Sequence, residues 1–548
     1  MKRDLAKMAE TKLDVLFIGG GVTGAAAAHD AALRGLRVGL VEKRDFGWAT
    51  SAATSKLVHG GLRYLKNLEI GLVRESLRER RILENIAPHM VTPAPFLVPT
   101  TKHGGNRFSI ISAGMVMYDM LSFDKGWLDD EMRRLPHFKL LTRRQVLNLE
   151  PGVDPRNLTG GAIYYDCQMH FPERLTLEFV LGAAQAGAQV ANYAEVQELL
   201  VETDRVTGAK VLDTLTGKEY VIRAKMAVNV AGPWADFVSG LALGAAHKNL
   251  IRSQGIHLIF RKVMDKYAIV LRTRGGRHFF LIPWRGRTLA GTTDTKYEGP
   301  PDAYGVTHAA AQHFLTEINE VFPSAAVTLD EVTWTYGGLR PIVEKETEVE
   351  LNTYDASRKY EIYDHAQEDH LQGFVTVIGG KYTTSRNLAE QLVDLVLDKM
   401  GKSRIACLTA RTPLPGGKFR RWPDFIAAGL QKYHHVSMEM IEQLSADYGS
   451  RREKVIELMA DPELAQPLDE RYPIPAAAAA LAVDEEMALT LEDVLWRRTA
   501  LGTTGELAEE AVNQTARLMA ARLGWNKKCV DEEAAKALDR LARRNMID

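Results

Sequence analysis

Cysteine is scarce in this 548-residue chain: only Cys167, Cys407 and Cys529 occur, widely spaced and never as Cys-x-x-Cys. That excludes a disulfide framework and a cysteine zinc site, and it points to a reducing compartment. Charge of one sign is also missing, since the formal net charge is −1, so no global field draws the chain to nucleic acid. No window approaches 18 uninterrupted apolar residues, and the first residues, MKRDLAKMAETKLDV, lack the apolar core of a signal peptide. A membrane-spanning helix and secretion are therefore not expected, and the expected location is cytoplasmic. His365, His370 and the pair His434-His435 lack companions at metal-ligand spacing, so no metal is expected. What remains is ordinary globular composition, 46% hydrophobic and 25% charged, at a length that calls for more than one domain.

DVLFI (14–18) is an apolar run of strand type. Gly19, Gly20 and Gly21 follow, then Gly24 opens AAAAHDAALRG, which reads as helix. RVGLVEK (37–43) supplies a second strand ending in Glu42 and Lys43, with Glu42 placed 18 residues beyond Gly24. Strand, Gly-x-Gly-x-x-Gly, helix, strand and acid, in that order, form a dinucleotide site. The glycines let backbone approach a pyrophosphate at a helix N-terminus, and the acid accepts from a ribose hydroxyl. An acid at this position disfavours a 2′-phosphate and leaves NAD or FAD. Two further apolar strands end in glycine: AVNVAGPWAD (227–236), with Gly232, and GFVTVIGGKYTTSRNLAE (373–390), with Gly379, Gly380 and Thr383. Three such strand ends far apart in sequence suit a flavin domain built from discontinuous pieces better than a compact NAD domain.

A boundary falls at TARTPLPGGKFRRWPD (409–424), where prolines, glycines and a basic cluster interrupt the pattern. Beyond it the sequence reads as an all-helical domain, 411–548; before it, strand and helix patterns alternate. AAAAA at 476–480 is the one low-complexity tract. The charged run RESLRERRILE (74–84) reads as a solvated helix face. RFSIISAGMVMYDMLSF (107–123), flanked by Lys102, Arg107 and Lys125, suits a segment lying on a membrane; a buried core helix is the plainer alternative.

Chemistry on a flavin calls for groups that hold the substrate and move a proton, and cations would hold an anionic one. Arg63, Arg340, Arg358 and Lys381 are the candidate cations beside glycine-rich segments. Of the fifteen histidines, His257 begins a strand in QGIHLIF, and His59 lies in SKLVHGGLRYL (55–65) beside the expected flavin.

In order and spacing, Gly19 to Gly24 with Glu42, ATSKLVHGGLRYL, NVAGPWA, GGLRPI, GGKYTTSRNLAE and LTLEDVLWRRTALG (489–502) resemble the FAD-dependent glycerol-3-phosphate dehydrogenases. One departure is the Phe171-Pro172-Glu173 run, where many members show Asp-Ala before Arg-Leu. The resemblance implies an α/β fold: a Rossmann-like FAD domain of the glucosamine/D-amino-acid-oxidase type, a β-sheet substrate-covering subdomain and the helical C-terminal domain. The oxidoreductase domain would span 1–410, with FAD-binding parts near 12–85, 160–240 and 341–410 and substrate-covering parts near 86–159 and 241–340. Cofactor contacts would come from Gly19, Gly21, Gly24, Glu42, Lys43, Ser55, Lys56, His59, Gly60, Gly232, Gly379, Gly380 and Thr383, with Ser55 and Lys56 on the pyrophosphate side. Arg63, Tyr64, Arg340, Arg358 and Lys381 would line the substrate pocket. Within it Arg358 and Lys381 would hold phosphate, Arg340 would lie near the reacting hydroxyl, and His257 would accept the proton.

The implied reaction converts glycerol 3-phosphate to dihydroxyacetone phosphate and passes electrons to a quinone. The chain would then sit peripherally on the inner face of the cytoplasmic membrane, and a homodimer is left open. An oxygen-using branch typically carries an insertion that this chain lacks. The alternatives are a flavin oxidase or dehydrogenase of another small anionic substrate, and a non-catalytic flavin-binding scaffold.

Overall fold

A computed structural model describes residues 1–102, 105–244, 250–343 and 359–547. Strand Leu13–Ile18 is buried at every position, as a continuous apolar run must be in a sheet covered on both faces. It pairs in parallel with Val38–Val41 on one side and Glu219–Asn229 on the other. Gln189–Ala191 and Phe374–Ile378 extend the two sides, again in parallel, and Glu361–Asp364 closes one edge antiparallel. The hairpin of Ala194–Glu202 and Arg205–Asp213 completes eight strands. Helix Val22–Leu33 packs against helices Pro172–Gln185 and Ser385–Lys399. Its alanines 25–28, 31 and 32 are all buried, so small side chains bring these helices close.

The second sheet has ten strands. One long antiparallel pair joins Leu250–Phe260 to Val332–Val343, with His257 opposite Tyr336 and Ser253 opposite Arg340. Leu158–Met169, expected in the FAD-binding part, instead pairs along Val91–Thr101 in this second sheet. It therefore belongs to the second sheet, not the first.

Two expectations change on the helices. The charged run at 74–84 lies in helix Ile70–Ile86, where Glu79, Arg80 and Glu84 are buried. They are not a solvated face because each meets a counter-charge: Arg386 bonds Glu79 (2.6 Å), Asp166 bonds Arg80, and Glu84 lies 3.9 Å from Arg80. Helix Phe108–Leu121 is not a core helix either, since only Met115 and Tyr118 are buried. Phe108, Ile110, Val116, Met117 and Met120 are exposed, as are Phe123 and Trp127 just beyond. Among the described residues no helix is long and apolar enough to cross a membrane.

After Lys399 the chain is mostly helical, from Trp422–Lys432 to Lys527–Ala542. Two short strands, Pro467–Asp469 and Tyr472–Pro475, interrupt the helices. Residues Met546–Ile547 pair with Val306–Thr307 of the oxidoreductase part. The alanine tract at 476–480 is wholly buried in helix Ala476–Glu486.

Buried charges join the helical part to the first sheet. Asp45 takes bonds from Arg497 (2.6 Å) and both terminal nitrogens of Arg498 (2.7 Å each). Arg174 bonds Glu486 through two nitrogens (2.9 and 3.0 Å) and the Asp447 carbonyl. The two arginines hold Asp45 well below the ordinary aspartate value of 3.8, against a burial effect that alone would raise it. A depressed carboxylate contributes stability above its unfolded pKa and loses it as pH falls. Asp45→Ala should therefore cost about 3–5 kcal/mol at neutral pH, since it leaves the buried Arg498 without its carboxylate and Arg497 with Asp493 alone. Thermal unfolding followed by circular dichroism checks this: the gap between wild type and variant should persist at neutral pH and shrink below about pH 4.

Candidate active site

The three glycine-ended strands lie side by side in the first sheet, so their loops open at one edge into a cavity of about 1030 Å³. Ligand cavities typically run to about 1,000 Å³, so this one has room for a large cofactor together with a small substrate.

The glycines at its floor have distinct tasks. Gly19 has φ +116°, and a Cβ there would lie 2.7 Å from the Val230 carbonyl oxygen. Gly24 does not line the cavity; a Cβ on it would run into the Gly19 carbonyl, so its task is to let the helix sit close. Gly21, which lines the cavity, is the N-cap of helix Val22–Leu33 and offers no side chain. The start of that helix, with its positive dipole end, therefore faces the space a pyrophosphate requires. Glu42 is buried at the end of the second strand. Its Oε2 accepts from Gly20 N–H (2.6 Å), and its Oε1 from Arg44 N–H (2.9 Å) and Trp48 Nε1–H (3.2 Å). Burial pushes its pKa up while these donors oppose the shift. Lys43 also lines the cavity, held by Asp302 (2.6 Å) and over the Trp234 ring. On the far side stand Gly232, Gly379 and Gly380, all at positive φ, and Thr383, whose Oγ1 accepts from His59 N–H (3.3 Å). The cradle fits FAD: the glycine loop and helix start would take the pyrophosphate, Glu42 the ribose, and Gly379 to Thr383 the polar edge of the flavin.

Arg63, Tyr64 and Lys381 form one cluster. Lys381 Nζ lies 3.8 Å from the Tyr64 ring centroid, and Arg63 donates to the Tyr64 hydroxyl (3.1 Å). Burial pulls the Lys381 pKa down, opposed by Tyr64 and reinforced by Arg63. Arg340 lines the same cavity, donating to Thr292 Oγ1 (3.0 Å) and Ser253 Oγ (3.3 Å), with Asp294 at 3.6 Å. Gly255 makes room for it, because a Cβ there would overlap the guanidinium. Arg358 lies outside the described residues.

Both expected histidines line the cavity. His257 is buried and stacked on Tyr336 at 4.7 Å, and Gly291 opposite it leaves space for its ring. Burial first, then Arg340 and Lys56, push its pKa well below 6.5. Burial also lowers His59, to about 4, but here Asp166 opposes the fall while Lys381, Arg63 and Arg80 add to it. Ser55, expected at the pyrophosphate, has its Oγ 2.9 Å from His257 Nε2. Lys56 departs furthest from expectation. Its ammonium is buried off this cavity, 3.5 Å from Glu173 and over the Trp284 and Tyr336 rings, because a positive φ turns the chain there. Glu173, the unusual residue of the Phe-Pro-Glu run, thus serves as counter-charge to Lys56. Gly60 lies behind the cavity wall, its N–H 3.4 Å from Asp166 Oδ1.

Sequence reasoning missed Asp166, Trp48, Trp234, Asp302 and the Thr292-Thr293-Asp294 run. Only Asp166 carried a readable signal, a lone carboxylate inside the strand-like YYDCQM. Among the described residues no cluster of His, Cys, Asp or Glu has the geometry of a metal site.

The family described as FAD dependent oxidoreductase matches residues 14–386, and the C-terminal domain of alpha-glycerophosphate oxidase matches 407–530. A glycerol-3-phosphate dehydrogenase of Synechocystis sp. is 34% identical over 97% of this chain and 97% of its own length. The aerobic glycerol-3-phosphate dehydrogenase of Bacillus subtilis is 35% identical over 91% and 88%. Among solved structures, the glycerol-3-phosphate dehydrogenase from Bacillus halodurans complexed with FAD superposes with a TM-score of 0.77 at 28% identity, covering 99% of this chain and 96% of that one. Glycine oxidase from Geobacillus kaustophilus shares the fold alone, with a TM-score of 0.52 over 73% of this chain. Cradle, domain pair and likeness along the whole length agree, and the chain belongs to the FAD-dependent glycerol-3-phosphate dehydrogenase family.

Proposed function

We propose that the chain oxidises glycerol 3-phosphate at C2 to dihydroxyacetone phosphate, with electrons leaving to a quinone. The observation that carries this reading is the meeting of Arg63, Lys381, Arg340 and two neutral histidines in the cavity that holds the cofactor cradle. Hydride acceptance is the chemistry that FAD supplies when bound. Binding, orientation and proton removal fall to side chains.

The substrate phosphate goes to Lys381, with Arg63 beside it and Arg358 as the expected second ligand. The Lys381 ammonium, its pKa lowered by burial, reaches Ser76 Oγ at 3.4 Å, and a phosphate would supply the further oxygens it needs. Glycerol 3-phosphate is short, so the proton acceptor must lie within a few ångströms of the phosphate clamp. His59 shares its charge environment with Lys381 and Arg63, and Asp166 offsets the imidazolium that forms on proton transfer. The charges that shift His257, expected as the base, are the cations Arg340 and Lys56, which oppose that product. His59 therefore takes the proton, while His257 holds Ser55 and backs Arg340 at the hydroxyl side.

The exposed apolar helix Phe108–Leu121 supports a quinone acceptor and a peripheral membrane position, because Ile110, Ile111 and Met117 of this same helix also line the cavity. A lipid-soluble acceptor arriving along that helix reaches the cavity without leaving an apolar surface.

Anaerobic mixing with glycerol 3-phosphate should bleach the flavin absorbance; bleaching by a small hydroxy or amino acid instead would reassign the substrate, and no bleaching would favour a scaffold. Stopped-flow traces should show His59→Asn slowing that step by about 10²–10⁴ and His257→Asn by far less. The wild-type acid limb of kcat/KM should lie near pH 4, since His59 accepts a proton only while neutral and its pKa is lowered to about 4. Lys381→Met should weaken substrate binding by about 1.5–3 kcal/mol, read from the substrate dependence of bleaching. Liposome pelleting should fall when Phe108, Ile110 and Met120 are changed to Ser, and unchanged pelleting would remove the membrane contact from the proposal.

A further inference from the structure

Asp166 sits on strand Leu158–Met169, 1% exposed, and contacts three separate elements. Arg80 of helix Ile70–Ile86 bonds Asp166 Oδ1. The Tyr118 hydroxyl, from helix Phe108–Leu121, donates to Oδ2 (2.6 Å). Gly60 N–H approaches Oδ1 at 3.4 Å. The fit around Gly60 is close, since a Cβ there would overlap both Leu77 and the Tyr118 hydroxyl. His59, one residue earlier, is pinned on its other side by its own N–H on Thr383.

We infer that Asp166, gripped by Arg80 and Tyr118, is the positioning residue of the His59–Gly60 turn, and that Tyr118 makes the outer apolar helix part of that support. The inference deepens the role given to His59 under the proposed function and rests on that reading. Asp166 acts through His59 and does not line the cavity. Its geometry suits the task. Arg80 Nε and Nη2 have no hydrogen-bond partner, so Asp166 is the carboxylate on which this buried guanidinium closes. Burial and the adjacent Asp166 raise the Tyr118 pKa far above 10, which keeps its phenol a donor. The main charges acting on His59 are Asp166, which favours the imidazolium, and Lys381, Arg63 and Arg80, which oppose it, while Glu69 and Glu75 act on the adjacent Lys381. Charges facing Asp166 itself include Glu84 of the Arg80 helix, 3.9 Å from Arg80. Tyr164 packs edge-on against Tyr118 at 5.8 Å and lines the cavity, which links the network to the site from a second direction.

The position also explains why a tyrosine stands in an otherwise exposed helix. Tyr118 and Met115 are the two residues that this helix buries, and Tyr118 is the one that reaches a charge. A shift of the helix on its outer face is therefore transmitted to the carboxylate beside Gly60.

The test uses the FAD-loaded full chain and two readouts. The first is the His59 titration in the absence of substrate, followed by NMR with 13C-labelled histidine and assigned with His59→Asn. Asp166→Asn should lower the His59 pKa by one unit or more, and Tyr118→Phe should shift it in a smaller, measurable step. The second is the rate of anaerobic flavin reduction by glycerol 3-phosphate, expected to fall at least tenfold in Asp166→Asn and about two- to fivefold in Tyr118→Phe, with the visible flavin spectrum retained. An unmoved His59 titration in both variants overturns the inference, whatever happens to the rate. If Asp166→Asn does not fold, Tyr118→Phe decides alone, since it removes one hydroxyl and leaves the Arg80–Asp166 pair in place. Failure of wild-type flavin to bleach would count against the proposed substrate and leave the substrate-free titration standing as the judge of the positioning role.

Discussion

The site depends on one constraint, the parallel register of three strands. Ile18 pairs level with Asn229, and Asn229 with Thr376, so the strands Leu13–Ile18, Glu219–Asn229 and Phe374–Ile378 finish at nearly the same height. Each continues into a loop containing glycine at positive φ: Gly19, Gly232, and the pair Gly379-Gly380. Hydrogen bonds of the sheet thus bring together segments hundreds of residues apart and aim them into one cavity. A slip of one residue in any of these pairs would turn the strand's side chains to the opposite face and carry its loop away from the edge. The buried apolar residues on both faces are what forbid the slip.

The second sheet and the helical part are fitted around that edge. His257 and Arg340 come from neighbouring strands of the second sheet, and glycines at 291 and 255 clear the volume each needs. The helical part is joined through buried ion pairs at Asp45 and Glu486. Such pairs add little over a well-packed apolar contact, but any other docking would leave charges buried and unpaired. Asp45 lies three residues beyond Glu42, so the same interaction that seats the helical part also fixes the loop at the end of the strand that carries Glu42.

Much of this was legible in the sequence because the dinucleotide motif is local: strand, glycines, helix and acid fall within 30 residues, and each signal has its own physical cause. Arg63, Lys381 and Arg340 were findable from their glycine neighbours. Lys56 was not, since its ammonium is directed by a backbone turn and by Glu173, more than a hundred residues away. The charged run at 74–84 misled for the same reason. Helix-surface charges and buried charges look alike in sequence, and only Arg386 and Asp166, supplied by distant segments, distinguish them. The sequence favoured His257 as the base and placed His59 against the flavin. Their difference lies in Asp166, Arg340 and Lys56, which are brought together by tertiary structure.

The pairing of Met546–Ile547 with Val306–Thr307 bears on how the molecule is made. The loop before that strand carries Asp302, which holds Lys43 and Trp234 at the rim of the cofactor cradle. Arg497 and Arg498, which fix Asp45, are likewise translated late. During synthesis the first βαβ unit emerges long before any of these partners, and strand Phe374–Ile378 must still be inserted beside Glu219–Asn229. The rim of the cradle is therefore held by residues drawn from far along the sequence as well as by its own βαβ unit, so changes distant from the glycine motif can loosen it.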